Sequence, residues 1–256
     1  MKFDINFFKT LLPENLQNLE IEYFDEIDST NSYLLYRKEF SDKILVIADY
    51  QTLGRGRFNR KWYSNPSENL MFSIGLKNIN VSDLQKFSFI TPLSVQEAME
   101  ENLNLNLNIK WPNDLIVDNK KVCGILIETQ IQNSEKAKVI VGIGINVNQT
   151  HFQYEIKDRT TSLKLLLNQE INREILLSKI LDLFFKYTNL ISVDFETIYQ
   201  KYKSKCFGIG QKVSVLFGDK IYIGILSDIN RNGELELLTE NTKLSFNSGE
   251  ITIIKE

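Results

Sequence analysis

The residues best suited to chemistry lie in one basic stretch at positions 51–64, with the sequence QTLGRGRFNRKWYS. Gly54 and Gly56 alternate there with Arg55 and Arg57. Glycine adopts positive φ angles and leaves space for a ligand beside the backbone, while guanidinium groups form paired hydrogen bonds with carboxylate and phosphate oxygens. The stretch therefore predicts a flexible anion-binding loop, with a plain solvated surface loop as the alternative.

Two familiar nucleotide-binding loops are excluded at this position. A Rossmann turn needs a third glycine where the chain has Asn59, and a P-loop needs Gly-Lys-Ser or Gly-Lys-Thr, which the sequence lacks. Arg60 and Lys61 extend the positive charge, and Trp62 adds an apolar face that can cover an aliphatic or aromatic part of a ligand. The loop by itself predicts an anion but no particular one.

A second segment, IKWPNDLIV at 109–117, combines three kinds of polar group. Pro112 restricts the residue before it to extended backbone and ends strand pairing. Asn113 and Asp114 are then predicted to project from a fixed turn, close to Lys110. A cation, an amide and a carboxylate would meet there, although Pro-Asn-Asp is also a good turn sequence without any function.

Glycines mark the third and fourth segments, KVCGILIE at 121–128 and VGIGIN at 141–146. Gly142 and Gly144 share one face of a strand, with Asn146 two residues further on. Glycine weakens a strand unless a ligand or another backbone packs against it, so these residues predict a shallow floor. Lys121 and Gly124 belong to the neighbouring strand. The alternatives are close packing of a helix on the sheet and a lysine at a hairpin edge.

The composition removes several classes of function. The chain has 256 residues, 43% of them hydrophobic, and a net charge of −3, so any anion binding must come from local clusters. A single histidine argues against His-based triads and multi-His metal sites. The two cysteines lack metal-type spacing, which favours a reducing cytoplasm. Apolar runs are too short to span a bilayer, and the N-terminus has no signal-peptide pattern. We expect a cytoplasmic protein without a membrane partner.

The elements that must position these residues follow from hydrophobic periodicity. Strands are predicted at 19–27, 43–51, 70–76, 103–111 and 138–148, with a hairpin over 114–128 that turns at Asp118–Asn119. Helices are predicted from a cap at Asp28 or Ser29, over 81–103 with a kink or break at Pro92, over 158–167 and over 172–203. About five short strands follow, which predicts a small C-terminal β-barrel. The boundary divides the chain into residues 1–207 and 208–256.

Taken in order, these segments resemble biotin protein ligases of the bacterial type. The matching pieces are STN at 29–31, QTLGRGRFNRKW at 51–62, KWPND at 110–114, KVCGILIE at 121–128, VGIGIN at 141–146 and the C-terminal SGEITII. The resemblance covers the chain from about residue 20 to its end. It implies an α+β fold, with a mixed β-sheet flanked by helices like that of class II aminoacyl-tRNA synthetases and a small C-terminal SH3-like β-barrel.

The resemblance implies a two-step reaction. Biotin attacks the α-phosphate of ATP to give biotinyl-5′-AMP and pyrophosphate, and a lysine of a biotin carboxyl carrier domain then takes the biotinyl group and releases AMP. Biotin and ATP are thus the expected substrates, with Mg²⁺ arriving on the ATP phosphates. The expected partner is a carrier domain of acetyl-CoA carboxylase or pyruvate carboxylase, with monomer and homodimer both open. Because STN already occurs at 29, a winged-helix DNA-binding domain has no room before it, and we expect a monofunctional ligase without a DNA partner.

The resemblance also implies roles for the site residues. Ser29, Thr30 and Gln51 would bind the ureido ring, Lys121 would neutralise the carboxylate and later the phosphoryl oxygen, and Asp114 would orient the incoming amine. The full biotin set is Ser29, Thr30, Asn31, Gln51, Gly54, Arg55, Gly56, Arg57, Trp62, Lys121, Gly124, Gly142 and Gly144. The ATP and adenylate set is Arg57, Arg60, Lys110, Asn113 and Asn146, and the catalytic set is Lys121, Arg57, Lys110 and Asp114.

The basic loop would close over the reactive adenylate and exclude water. One departure concerns Asn59, where the family usually has glycine. Asparagine tolerates left-handed backbone angles better than other non-glycine residues, so we expect the loop to keep its shape.

Two other functions remain to be weighed. A lipoate ligase or octanoyltransferase shares the expected fold, but its RRxSGGG-like segment is absent from the sequence. A module that binds a ligand or RNA through the basic loop is disfavoured by the acidic net charge.

Overall fold

The computed structural model describes residues 1–254, apart from the side chain of Asn59, and builds them around two β-sheets. The first is a mixed sheet of seven strands in the order β1-β2-β3-β7-β6-β5-β4, in which only β1 and β2 run parallel. Its strands are β1 Glu20–Phe24, β2 Lys43–Ala48, β3 Leu70–Asn80, β4 Asn108–Lys110, β5 Asp114–Val117, β6 Lys120–Ile131 and β7 Lys136–Ile145.

The second sheet has five antiparallel strands in the order β11-β10-β9-β8-β12. They are β8 Lys212–Phe217, β9 Lys220–Ile229, β10 Leu235–Leu238, β11 Lys243–Phe246 and β12 Glu250–Ile253. Together the two sheets confirm the predicted α+β fold with a small C-terminal β unit.

Helices cover both faces of the first sheet. They are α1 Ile5–Thr10, α2 Thr30–Tyr36, α3 Phe87–Leu103, α4 Leu163–Leu167, α5 Arg173–Leu190 and α6 Phe195–Lys205. One face carries the main core, to which α3 and α5 contribute. The other face carries α2, whose Leu34 packs with Ile44, Val46 and Ile140. The central strands are buried on both sides, which explains their continuous apolar sequences.

The hairpin prediction at Asp118–Asn119 is confirmed. Both residues have left-handed backbone angles, with φ of 48° and 63°, as a two-residue type I′ turn requires. The sequence predicted a helix cap at Asp28 or Ser29. In the structure Ser29 is the cap, because its hydroxyl accepts a hydrogen bond from the Ser32 amide at the start of α2. These local signals were strong enough to fix both elements.

Helix boundaries required three corrections. Residues Val81–Lys86 form 3₁₀ turns, and α3 begins only at Phe87 and continues without a break through Pro92. A proline in the second turn removes only one backbone hydrogen bond, and the buried surroundings retain the helix. The predicted helix over 172–203 is two helices, because α5 ends at Leu190 and Asp194 caps α6. The predicted helix over 158–167 is shorter in the structure, where α4 covers only Leu163–Leu167.

The alternating sequence at 103–111 is mostly not a strand. Helix α3 runs to Leu103, and Asn104 ends it with a left-handed φ of 50°. Only Asn108–Lys110 pairs as β4. Leu107 lies in the irregular segment before this strand, and its side chain is buried in the core. The alternating pattern favours a strand, but asparagine also favours the left-handed position that ends a helix, and the structure has the helix end.

The second sheet shares a core with the first. Phe89, Tyr199 and Tyr202 pack in one buried cluster with Val213 and other apolar residues of the second sheet. The Trp111 indole Nε1 donates a hydrogen bond to the Gly233 carbonyl oxygen at 2.9 Å. The expected boundary between residues 207 and 208 falls in the connection between α6 and β8, and as a division into domains it stays a prediction.

Within residues 1–254, every helix is too short or too polar to cross a membrane.

Candidate active site

One cavity collects nearly all of the predicted site residues. It has a volume of about 480 Å³ and lies between the α2 face of the first sheet, the basic loop and strand β12. Every residue of the predicted biotin, ATP and catalytic sets lines it except Gly54. Gly54 lies behind the cavity wall, where an added Cβ would come within 2.9 Å of the Trp62 carbonyl oxygen. Segments far apart in sequence thus converge on a single site.

The floor of the cavity follows from strand register. Gly142 lies opposite Ser73 on β3 and opposite Leu126 on β6, and Gly144 lies opposite Gly124. Directly opposite residues of antiparallel strands share a face, so these rows form one surface below α2. The predicted glycine floor is therefore a real feature of the sheet.

Side chains of the site already rest on this floor. A Cβ added to Gly142 would fall 2.1 Å from the Asn31 Oδ1 atom, and one added to Gly144 would fall 2.6 Å from the Trp62 ring. A Cβ added to Gly124 would fall 2.8 Å from Lys121 Nζ. Close packing of a helix on the sheet thus explains Gly142, while the other two glycines make room for the tryptophan and the lysine.

The N-terminus of α2 supplies a buried polar end of the cavity. Ser29, Thr30 and Asn31 are all nearly fully buried. The Thr30 amide donates to Gln51 Oε1 at 2.7 Å, and the Thr30 hydroxyl lies 3.1 Å from the same oxygen. Gln51 Oε1 is therefore an acceptor, and its Nε2 remains as the donor of that side chain.

The hairpin of β5 and β6 joins a cation to a carboxylate. Lys121 Nζ lies 2.7 Å from Asp114 Oδ1, and both side chains are partly exposed. Lys121 Nζ also lies 5.7 Å from the centre of the Trp62 ring, within range of a cation–π interaction. Lys110 is the register partner of Asp114 across β4 and β5, so both side chains lie on the same face of the sheet.

The two predicted asparagines serve the scaffold as well as the cavity wall. Asn113 Nδ2 donates to the Ile125 carbonyl oxygen at 2.7 Å, which ties the KWPND turn to β6. Asn146 Nδ2 donates to the Thr161 carbonyl oxygen at 3.1 Å, which holds the segment before α4 against β7. Both side chains retain an amide oxygen that faces no described donor.

The basic loop folds back on itself at its tip. Residues Arg57–Asn59 form a 3₁₀ turn in which Phe58 has a left-handed φ of 54°, and the Gly56 amide donates to the Arg60 carbonyl oxygen at 2.7 Å. The expectation for Asn59 concerned its backbone, and in the structure the left-handed angle falls on the neighbouring Phe58, while Asn59 is the last residue of the 3₁₀ turn. Arg60 forms an ion pair with Glu250 of β12, so the second sheet closes one side of the site.

Arg57 stands in the most charged part of the cavity. Its burial is the largest influence and lowers the pKa of the guanidinium, with nearby Arg60 acting in the same direction. Asp114 and Glu250 oppose this by raising the pKa of Arg57. Because an arginine starts from a very high pKa, it remains a cation at neutral pH.

One buried guanidinium holds both ends of the basic loop. Arg173 Nη1 donates to Asp49 Oδ1 at 2.8 Å and to the Asn69 carbonyl oxygen at 2.9 Å. Asp49 precedes the loop and Asn69 follows it. The Ser67 hydroxyl also lies 3.0 Å from Asp49 Oδ2. The base of the loop is therefore fixed although its tip is exposed.

Among the residues of the site that sequence reasoning missed, four are polar or charged groups with clear contacts or positions in it. Ser73 and Glu128 contact predicted residues directly, and Arg159 and Glu250 line the cavity. A serine inside the apolar run LMFSIGL was a usable signal for Ser73. Glu128 shares the face of Gly124 by period-2 spacing. Arg159 lies in an irregular segment, where no pattern marks it.

Among the described residues, no group of three or more His, Cys, Asp or Glu side chains is arranged to hold a metal ion.

The fold and cavity define the class of protein, an enzyme built on the scaffold of the "Biotin/lipoate A/B protein ligase family", whose model matches residues 23–146. The model "Biotin protein ligase C terminal domain" matches residues 208–253. "Bifunctional ligase/repressor BirA" of Bacillus subtilis is 32% identical over 237 residues, which cover 90% of this chain and 73% of that protein. The chain belongs to the biotin protein ligase family.

Two further relatives support this assignment. "Biotin--[acetyl-CoA-carboxylase] ligase" of Mycobacterium tuberculosis is 26% identical over 252 residues, with 92% of this chain and 90% of that protein covered. The solved structure of the biotin protein ligase from Aquifex aeolicus in complex with biotin and ATP superposes with a TM-score of 0.79 and 33% identity, covering 93% of this chain and 99% of that one. The family predicted from the sequence motifs is confirmed, and the relatives favour a biotin ligase over a lipoate ligase.

Proposed function

We propose that this chain activates biotin with ATP and transfers the biotinyl group to a lysine of a biotin carboxyl carrier domain. The convergence of Arg57, Lys110 and Lys121 on one glycine-floored cavity carries the proposal. Attack of a carboxylate on a triphosphate brings like charges together, and fixed cations lower the energy of that arrangement most as charge develops. The whole chain has a net charge of −3, so this group of cations is a local feature of the cavity and does not follow from the overall composition.

The biotin ring binds at the polar end of the cavity, below α2. Ser29, Thr30 and Gln51 are the polar groups there, and the Gln51 Nε2 donor is oriented by the acceptor role of Oε1. The aliphatic tail then passes under Trp62, whose ring lies over Gly144. This places the biotin carboxylate near Lys121, at the other end of the floor.

In the first step, Lys121 pairs with the biotin carboxylate while Arg57, Arg60 and Lys110 bind the phosphates. A carboxylate oxygen of biotin forms a bond to the α-phosphorus, and the bond to the leaving pyrophosphate breaks. Mg²⁺ enters on the phosphate oxygens of ATP and further neutralises them. Asn146 lies at the far end of β7, where it would meet the adenine.

In the second step, Asp114 receives the amine of the carrier lysine. In the structure Asp114 is held by Lys121 at 2.7 Å. When Lys121 turns to the phosphoryl oxygen of the adenylate, the carboxylate of Asp114 becomes available to accept a hydrogen bond from the incoming amine. The nitrogen of the neutral amine bonds to the biotinyl carbonyl carbon and gives up a proton to solvent, and AMP leaves with the electron pair of the bond between the carbonyl carbon and the phosphate oxygen.

The carrier domain of acetyl-CoA carboxylase is the proposed acceptor, because the name of the Mycobacterium tuberculosis relative specifies acetyl-CoA carboxylase. The unpaired thiols Cys123 and Cys206 support a reducing cytoplasm as the site of action. Residues 1–207 hold most of the cavity, and residues 208–256 contribute Gly249, Glu250 and Ile251 to it.

Isotope exchange between pyrophosphate and ATP tests the first step. We expect exchange that depends on biotin and is absent with lipoate, and exchange with lipoate alone would contradict the proposal. Incubation with ATP, biotin and a carrier domain tests the second step, read by intact-mass spectrometry. We expect a gain of one biotinyl group, which a carrier with its target lysine changed to arginine should not show.

A further inference from the structure

The carboxylate of Glu128 joins two parts of the site that are far apart in sequence. It lies on β6, on the same face as Gly124, and its side chain is 23% exposed. Arg55 Nη2 of the basic loop donates to Glu128 Oε2 at 2.8 Å and to Oε1 at 3.2 Å. Asn31 Nδ2 of α2 donates to Glu128 Oε2 at 2.9 Å. The reaction proposed above assigns no role to this carboxylate.

Asn31 is fully engaged by the protein. Its Nδ2 also donates to the Leu126 carbonyl oxygen at 3.2 Å, and its Oδ1 lies 2.6 Å from the Ser73 hydroxyl. The residue is nearly fully buried. Both polar atoms of Asn31 thus have partners within the protein, and they connect Glu128 to Ser73 and to the rest of the site.

The connection continues to the start of the basic loop. The Ser73 hydroxyl lies 2.7 Å from Thr30 Oγ1, and Thr30 holds Gln51 Oε1. Gln51 and Arg55 are four residues apart in the same loop. The hydrogen bonds therefore close a ring from one end of this short segment to the other, through two strands and a helix.

We propose that Glu128 is a positioning residue for biotin activation, which rests on the function proposed above. It holds Arg55 and Asn31 together, so that the first part of the basic loop is set against the ring-binding end before biotin arrives. Arg55 Nε is buried and has no hydrogen-bond partner among the described residues, so the contacts of Nη2 with Glu128 are its polar anchor. Ordering of the loop in advance lowers the cost of binding.

Replacement of Glu128 by Gln removes the negative charge and one of the two bonds to Arg55. The amide oxygen of Gln at the Oε2 position still accepts from Asn31 and from Arg55 Nη2, whereas an NH₂ group at the Oε1 position cannot accept from the guanidinium. We expect the KM for biotin in pyrophosphate exchange to rise about tenfold, the lower end of the range for a lost charged hydrogen bond. The kcat should stay within about threefold, because Glu128 touches neither reacting group.

Trypsin provides a readout that needs no activity. Because the Glu128→Gln variant holds Arg55 less strongly, its loop should be cleaved several-fold faster than that of the wild type at Arg57, Arg60 or Lys61 in the absence of biotin. Glu135→Gln is the matched control, because Glu135 is exposed on the same β6–β7 hairpin and uses only its backbone in hydrogen bonds. It should leave the KM, the cleavage rate and the Tm unchanged.

A double-mutant cycle with Arg55→Met tests whether Glu128 acts through Arg55. If it does, the double variant has the KM of the worse single variant. Independent, multiplying effects on KM would overturn the proposal, as would a Glu128→Gln variant with a lower Tm but wild-type KM and cleavage. If wild-type protein shows no biotin-dependent exchange, the proposed function fails, while the cleavage comparison still tests the role of Glu128 in the loop.

Discussion

Lys121 offers the sharpest separation of catalysis from stability in this molecule. Replacement by methionine keeps the apolar stem and removes the charge. Its partner is Asp114 at 2.7 Å, and the two side chains are 33% and 26% exposed, so solvent weakens the pair. Such a pair is worth about 1 kcal/mol or less, which corresponds to a Tm shift of roughly 2–4 °C in a chain of this size.

The catalytic loss should be far larger than the stability loss. Removing one fixed group that stabilises developing charge commonly costs about 10²- to 10³-fold in kcat. We therefore expect Lys121→Met to lose about 100-fold or more in biotin-dependent pyrophosphate exchange at a temperature well below its Tm. Lys120→Met is the matched control, because Lys120 is the exposed neighbour on the same strand and does not line the cavity.

Two results would refute this reasoning. If the rate of pyrophosphate exchange by Lys121→Met is within tenfold of the wild-type rate, Lys121 does not stabilise the developing charge. If Lys121→Met and Lys120→Met lose exchange activity to the same extent, the loss comes from a disturbed hairpin and not from the missing charge of Lys121.

Three further outcomes follow from the geometry. Gly142→Ala should weaken biotin binding about tenfold in calorimetry, because its Cβ would fall 2.1 Å from Asn31 Oδ1; unchanged affinity would contradict the described floor. Burial raises the pKa of Cys123 and raises that of Cys206 to about 12. Both side chains are therefore neutral thiols at pH 8, and a thiol-specific dye should react with them only after unfolding. Rapid reaction of either thiol in the native protein would disprove this. Arg173→Met breaks a buried ion pair and should lower the free energy of unfolding by about 3–5 kcal/mol, as chemical denaturation measures; a loss under about 1 kcal/mol would rule out the clamp at the loop base.

Local patterns predicted the parts of the site that depend on neighbours in sequence. The turn at Asp118–Asn119 follows from residues that accept left-handed angles, and the hairpin then brings Lys121 to Asp114. The period-2 spacing of Gly142 and Gly144 placed both on one face. In each case a short segment contains all of the information, because the geometry of a strand or a tight turn is fixed by a few residues.

Contacts between distant segments could not be predicted in this way. Glu128 and Arg55 are 73 residues apart, and Arg173 and Asp49 are 124 residues apart. Each pair depends on how a helix or a loop packs against the sheet, which no single segment determines. The failed strand at 103–111 has a different, local cause, since Asn104 ends helix α3 with a left-handed backbone angle.

The hydrogen bond from Trp111 to Gly233 has a consequence for how this enzyme melts. Trp111 lies in the KWPND turn that carries Asp114, and its ring belongs to the core shared with the second sheet. Loss of the small sheet would expose that ring and free the turn, so the position of Asp114 depends on the sheet. We expect one cooperative calorimetric transition for the whole chain, with activity lost at the same temperature, although the sequence predicts a domain boundary between residues 207 and 208.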